Sequence, residues 1–195
     1  MTQIIENSSK KPKESIYSEY DSDYEDLSTD DALLVTYDDD TDLYERKLLA
    51  RQVVDCIVIA LWGKTPEGDN FISLIHKSSP STIEKLMKQH GIDVSGAKLS
   101  YLLVPGPDSQ KDVITKTKAE CKKLFDKEEA STDKPDKEFS FTIEQHERPY
   151  DKSSVVITGL PNDRVSVRTI CPRPDDIREK MAIGVGNSKL IREKQ

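Results

Sequence analysis

The sequence predicts an α+β fold: a mostly antiparallel sheet with two covering helices, in the order β-β-α-β-α-β-β-β, behind a disordered acidic N-terminal arm. Three observations predict it. An apolar, β-branched run at 53–62 is followed by turn chemistry and a second apolar run, as in a β-hairpin. Two stretches with helical periodicity alternate with further strand-like runs. Charge is also uneven. Of the 36 acidic and 29 basic residues in 195, residues 1–45 hold 14 Asp/Glu against three lysines, so a net of −11 precedes a body at +4.

The elements follow in order. Residues 1–45 are dominated by Ser, Asp, Glu and Lys, which leaves little to bury. They nevertheless carry five of the seven tyrosines (Tyr17, Tyr20, Tyr24, Tyr37 and Tyr44) and the apolar, β-prone patch Ala32-Leu33-Leu34-Val35-Thr36-Tyr37. The folded domain is expected at 46–174. Its first strand is 53–62 (VVDCIVIALW), its turn 63–70 (GKTPEGDN) and its second strand 71–76 (FISLIH). Ser78-Ser79-Pro80-Ser81 starts a helix over 81–90, with Ile83, Leu86 and Met87 on one face and Gly91 as its C-cap. A third strand at 99–104 stops at Pro105-Gly106-Pro107. The second helix, 109–128, places Val113, Ile114, Cys121, Leu124 and Phe125 on its apolar stripe and Lys111, Lys116, Lys118, Lys122 and Lys123 on a basic side. A charged loop, 129–137, leads to a strand at 138–145 that alternates Phe139, Phe141 and Ile143 with polar residues. Residues 154–159 and 164–170 form a closing hairpin, ended by Pro172 and Pro174. The charged tail 175–195 is read as helical at 175–182 and loose at Gly184-Val185-Gly186-Asn187.

Composition excludes several classes. No apolar run reaches the roughly 18–20 residues of a membrane-spanning helix. The N-terminus has no apolar core of a secretory signal peptide. Three cysteines without a C-x-x-C pair make no disulfide framework, and the expected setting is a reducing cytosol. Single, scattered Cys and His residues disfavour zinc, and no glycine-rich phosphate or dinucleotide motif is present. No metal and no cofactor are therefore expected. Net charge does not favour nucleic acid, and a protein is the expected substrate or partner.

One pair of side chains stands out. Cys56 lies in the first predicted strand and His76 ends the second. A hairpin centred on Pro66 puts them directly opposite, with Cβ atoms about 4.5–5.5 Å apart, and pairs Trp62 with Asn70. A thiol facing an imidazole can serve as nucleophile, with the histidine returning the proton to a leaving amine. The structural alternative is a small buried Cys in an apolar strand and an edge histidine. Cys121 falls on a helix stripe, Cys171 at a strand end, His90 beside the helix cap and His146 in a polar stretch.

Asp55-Cys56-Ile57-Val58-Ile59-Ala60-Leu61-Trp62, a turn, and Phe71-Ile72-Ser73-Leu74-Ile75-His76 followed by Pro80 resemble the catalytic hairpin of the bacterial chemoreceptor glutamine deamidases (CheD). Residues 81–91, 97–104, 109–126 and 153–170 follow the order of that family's later elements, so the resemblance covers about 50–171. It implies a CheD-like α/β sandwich. It also implies Cys56 as nucleophile on a glutamine side-chain amide and His76 as general acid/base. The same arrangement occurs in the cytotoxic necrotizing factor toxins. Where the family has a threonine six residues before its cysteine, this chain has Ala50, and its Gly-Ser is Val54-Asp55 here.

The resulting expectation is a Cys-His amidohydrolase acting as a protein-glutamine deamidase, an effector or toxin, in the cytoplasm or delivered to a host cytosol. Its alternative is a non-catalytic binding module on the same scaffold, whose acidic arm engages a basic partner or its own cleft. A third reading lays residues 32–45 across the Cys56 cleft as an autoinhibitory strap.

Overall fold

The computed structural model describes residues 24–37, 46–125, 139–145, 152–160, 164–181, 185–186 and 190–191. The long apolar runs of the predicted hairpin become β4 (Ile57–Lys64) and β5 (Asn70–Lys77), two central strands whose residues are almost all buried. Continuous rather than alternating hydrophobicity is what a strand covered on both faces requires. With β6 (Lys98–Pro105) and β2 (Asp31–Tyr37) flanking them, and the short β10 (Val185–Gly186) at one edge, they form a five-stranded antiparallel sheet ordered β10-β6-β4-β5-β2.

One face of that sheet carries Ile57, Ile59, Leu61, Phe71, Ile75 and Leu103, and the two predicted helices cover it. Helix α1 (Ile83–Gln89) contributes Ile83 and Leu86, and α2 (Lys111–Phe125) contributes Ile114, Cys121 and Phe125. Thr82 caps α1 by accepting the Lys85 N–H at 3.3 Å. Gly91 ends it at φ +67°, the left-handed conformation that glycine adopts without steric cost.

The opposite face packs on a second, six-stranded sheet. Its order is β1 (Glu25–Leu27), β3 (Arg46–Val53), β8 (Ser153–Leu160), β9 (Arg164–Cys171), β7 (Phe139–Gln145) and β11 (Leu190–Ile191). Val58, Ala60, Trp62, Ile72 and Leu74 of the first sheet meet Leu48, Ala50, Val155, Ile157, Val165 and Val167 of the second. Along β9, buried and partly exposed residues alternate, the pattern of a strand with only one covered face. Helix α3 (Pro174–Met181) brings Ile177 into this interior. The layers are thus sheet, sheet and helices.

The α+β class, the mostly antiparallel pairing and the two covering helices are as the sequence predicts. The predicted elements correspond to β4, β5, α1, β6, α2, β7, β8 and β9, and further elements flank them. Three strands precede them, and the run 53–62 is broken at Val54-Asp55-Cys56, so that Val53 belongs to β3 and β4 begins at Ile57. Gln52, at φ +60°, and a register shift between Ala50 and Val53 end β3 there. Part of the expected disordered arm is strand. Residues 25–27 pair with β3 in parallel, and 31–37 pair with β5 along their whole length. Tyr37 is buried, with its ring over Gly159 of β8. Residues 1–23, 38–45 and the loop 129–137 lie outside the described residues, as does His146. At the other end, 175–181 is helical, and the stretch read as loose contains β10.

Candidate functional site

Cys56 sits just ahead of β4, after the bend at Val54-Asp55. The loop following β6 holds that bend by main-chain bonds. The Cys56 carbonyl accepts the Gly106 N–H and the Ser109 hydroxyl, both at 2.9 Å, and the Val54 carbonyl accepts the Asp108 N–H at 2.9 Å. Helix α3 braces the loop in turn: Lys180 donates to the Pro107 carbonyl, and Arg173 pairs with Asp108.

His76 does not stand directly opposite Cys56. It pairs with Val58, and Trp62 pairs with Ile72 rather than Asn70. The hairpin centres on Glu67, one residue beyond the predicted Pro66, because the tip holds five residues, 65–69, with Gly68 at φ +102°. Moving the centre by one residue shifts the register by two, so the face of each side chain is kept. Val58 therefore stands opposite His76, and Cys56, two residues before it, lies just outside the ladder.

A turn of the N-terminal segment roofs the pair. Residues 28–30 join β1 to β2, passing from one sheet to the other. Asp30, at φ +61°, donates its N–H to the His76 carbonyl at 2.7 Å. Its carboxylate accepts the Ser78 N–H at 2.9 Å and the Ser78 hydroxyl at 2.8 and 2.7 Å. Next to it, Asp31 pairs with His90 Nδ1 at 3.2 Å. Burial pushes the Asp30 carboxyl pKa up, but the Ser78 and Ser81 hydrogen bonds outweigh it and hold the pKa below its ordinary value.

Both members of the pair rest uncharged under this roof. Cys56 is 7% exposed, and its thiol donates to Asp55 Oδ1 at 3.6 Å. Burial raises its pKa, as do the Asp55 and Asp30 carboxylates, while the Thr29 hydroxyl against the sulfur pulls the other way. His76 is fully buried, and neither ring nitrogen has a hydrogen bond of regular geometry. Burial lowers its pKa, against the Leu27 and Ser28 carbonyls and the Asp30 and Asp31 carboxylates beside it. Besides Asp55, the groups acting on the thiol and on the imidazole come from the segment 27–31.

The buried imidazole sets a pH dependence. Its folded pKa lies below the unfolded value of about 6.5, so below that pH the unfolded chain binds a proton that the folded chain refuses. Stability contributed by neutral His76 is therefore complete above about pH 6.5 and declines as pH falls below it. Asp30 acts in the other window: its carboxylate contributes above the ordinary aspartate pKa and is lost only as pH falls through its lowered value. Urea midpoints measured at about pH 7.5 and 5 should fall with acid in the native chain and fall less in His76→Gln. An equal fall in both would exclude His76 as the cause.

Thr29 and Asp30 are the site residues that sequence reasoning missed. Ser28-Thr29-Asp30-Asp31 is turn chemistry between two strand-forming segments, and that signal was available. Ala50 lies fully buried in β3 against Val155, and the Thr29 hydroxyl lies beside the Cys56 sulfur. Cys121 and Cys171 are fully buried, each within an apolar cluster. Among the described residues, no three His, Cys, Asp or Glu side chains converge as metal ligands, and no helix is long and apolar enough to cross a membrane. Comparison of the chain with protein-family models, curated proteins and solved structures returned no match.

Proposed function

We propose that this protein is a Cys-His amidohydrolase of the protein-glutamine deamidase type, held closed by its own N-terminal segment. The observation that carries the reading is that one turn, 28–30, meets both Cys56 and His76 and is tied to Ser78 beside them. With the turn lifted, the imidazole becomes hydrated, recovers its ordinary basicity and can take the Cys56 proton. The thiolate attacks the side-chain amide carbon of a glutamine, forming a C–S bond. The C–N bond breaks as His76 returns the proton and ammonia leaves. Water then cleaves the thioester, giving glutamate and free thiol.

A second reading is favoured by the two carboxylates near the sulfur. Asp55 and Asp30 disfavour a thiolate, as suits a scaffold that binds a protein partner without turnover. Competitive alkylation separates the two. Iodoacetamide should label Cys56 slowly in the native chain and much faster in Asp30→Ala, with Cys121 and Cys171 unchanged. Adding His76→Ala to Asp30→Ala should remove the gain. Fast labelling that persists without His76 would favour the non-catalytic scaffold.

A further inference from the structure

The N-terminal segment does more than cover the cleft, because the way it is bound describes a ligand. Residues 31–37 add to the β5 edge as an antiparallel strand in continuous register, from Asp31 opposite His76 to Tyr37 opposite Asn70. Ahead of them the chain turns at Asp30, whose backbone bonds to the His76 carbonyl and whose carboxylate is gripped by Ser78. Leu27 is buried, while Ser28 and Thr29 remain exposed at the surface of the roof. The side chain presented to the sulfur is that of Thr29, and the carbonyls beside the imidazole are those of Leu27 and Ser28.

We propose that residues 27–37 are an internal pseudosubstrate, and that the substrate is an extended peptide segment that adds to the β5 edge in place of β2. This rests on the deamidase reading of Cys56 and His76. Strand addition supplies affinity through main-chain hydrogen bonds and takes specificity from individual side chains. The segment that fits carries an apolar residue at the Leu27 position and glutamine at the Thr29 position. It has Asp, Asn or Gly at the Asp30 position, where a left-handed φ is required. Apolar, β-prone residues follow. Thr29 has no amide, so the internal segment occupies the site without being turned over.

The chain itself provides the test. In Thr29→Gln combined with Asp30→Ala, whose untied turn can lift and settle again, the introduced glutamine should become glutamate, read by mass spectrometry of the peptide containing position 29. Conversion should be about a hundredfold faster than at exposed Gln52 or Gln110, the scale of positioned acid-base catalysis. It should stop in Cys56→Ala and in His76→Ala backgrounds. A trapped thioester at Cys56, with ammonia lost, would support the proposal equally. A synthetic peptide of residues 24–37 with glutamine at position 29, offered to full-length Asp30→Ala, repeats the test in trans and does not depend on folding of the Thr29→Gln chain. If neither glutamine is converted while Cys56 of Asp30→Ala is alkylated in a His76-dependent way, the pseudosubstrate idea is overturned and the deamidase reading stands. If Cys56 shows no His76-dependent reactivity in any variant, both fail. Conversion that persists in Cys56→Ala overturns the proposal as well.

Discussion

Replacing Asp30 by alanine is expected to raise the rate of iodoacetamide capture at Cys56 about tenfold or more, with Cys121 and Cys171 unaffected. Three effects act in the same direction. The variant removes a carboxylate that accepts the Ser78 N–H and the Ser78 hydroxyl, the latter shared between its two oxygens. Hydrogen bonds to charged groups contribute about 1.5–3 kcal/mol each when shielded. Discounted for the partial exposure of this turn, a loss near the lower value alone raises the open population about tenfold. Alanine also tolerates φ +61° less well than aspartate, so the turn is strained as well as untied. Finally, one of the charges that raises the thiol pKa is gone. Ser78→Ala should give a smaller effect in the same direction, since it removes the hydroxyl bonds and leaves the main-chain one. If all three cysteines accelerate together, the variant has unfolded the chain rather than opened the roof. If Cys56 is unchanged, the turn does not control access.

Gly106→Ala is expected to cost more than about 3 kcal/mol of folding stability, a large part of what a domain of this size possesses. A Cβ at this position would stand 2.2 Å from the Val54 carbonyl oxygen and 2.6 Å from its carbon, both main-chain atoms that cannot swing aside. Relief requires the loop and the Val54–Cys56 bend to separate. That breaks the bonds from Gly106 N–H to the Cys56 carbonyl and from Asp108 N–H to the Val54 carbonyl. Overpacking of about 1–3 kcal/mol then adds to two main-chain hydrogen bonds worth about 1 kcal/mol each. Urea denaturation measures the loss directly, and a change below about 1 kcal/mol would contradict the close approach. Because the same bonds aim Cys56, the double variant with Asp30→Ala should also lose its selective alkylation while still folded at low temperature.

Periodicity and turn chemistry by themselves determined the α+β class, the central hairpin, both helices over one face and the closing hairpin. Each of these is a local pattern: continuous apolar runs at β4 and β5, helical spacing at Ile83 and Leu86, a glycine where α1 ends. The same patterns singled out Cys56 and His76, and the structure sets His76 opposite Val58 rather than opposite Cys56. Tertiary structure alone decided the rest. The hairpin centre moved from Pro66 to Glu67 because Gly63 and Lys64 joined β4 while only Asn70 joined β5, and a local count of turn residues cannot say how far each strand runs into the turn. The acidic stretch around Leu27 and Ala32–Tyr37 became strand because the β5 edge and the gap beside β3 were open to it. Backbone pairing and burial of Leu27 and Tyr37 outweigh the poor composition of the residues around them. Thr29 and Asp30 reached the sulfur and Ser78 only because that segment crosses between the sheets, and no spacing rule links positions so far apart in the chain.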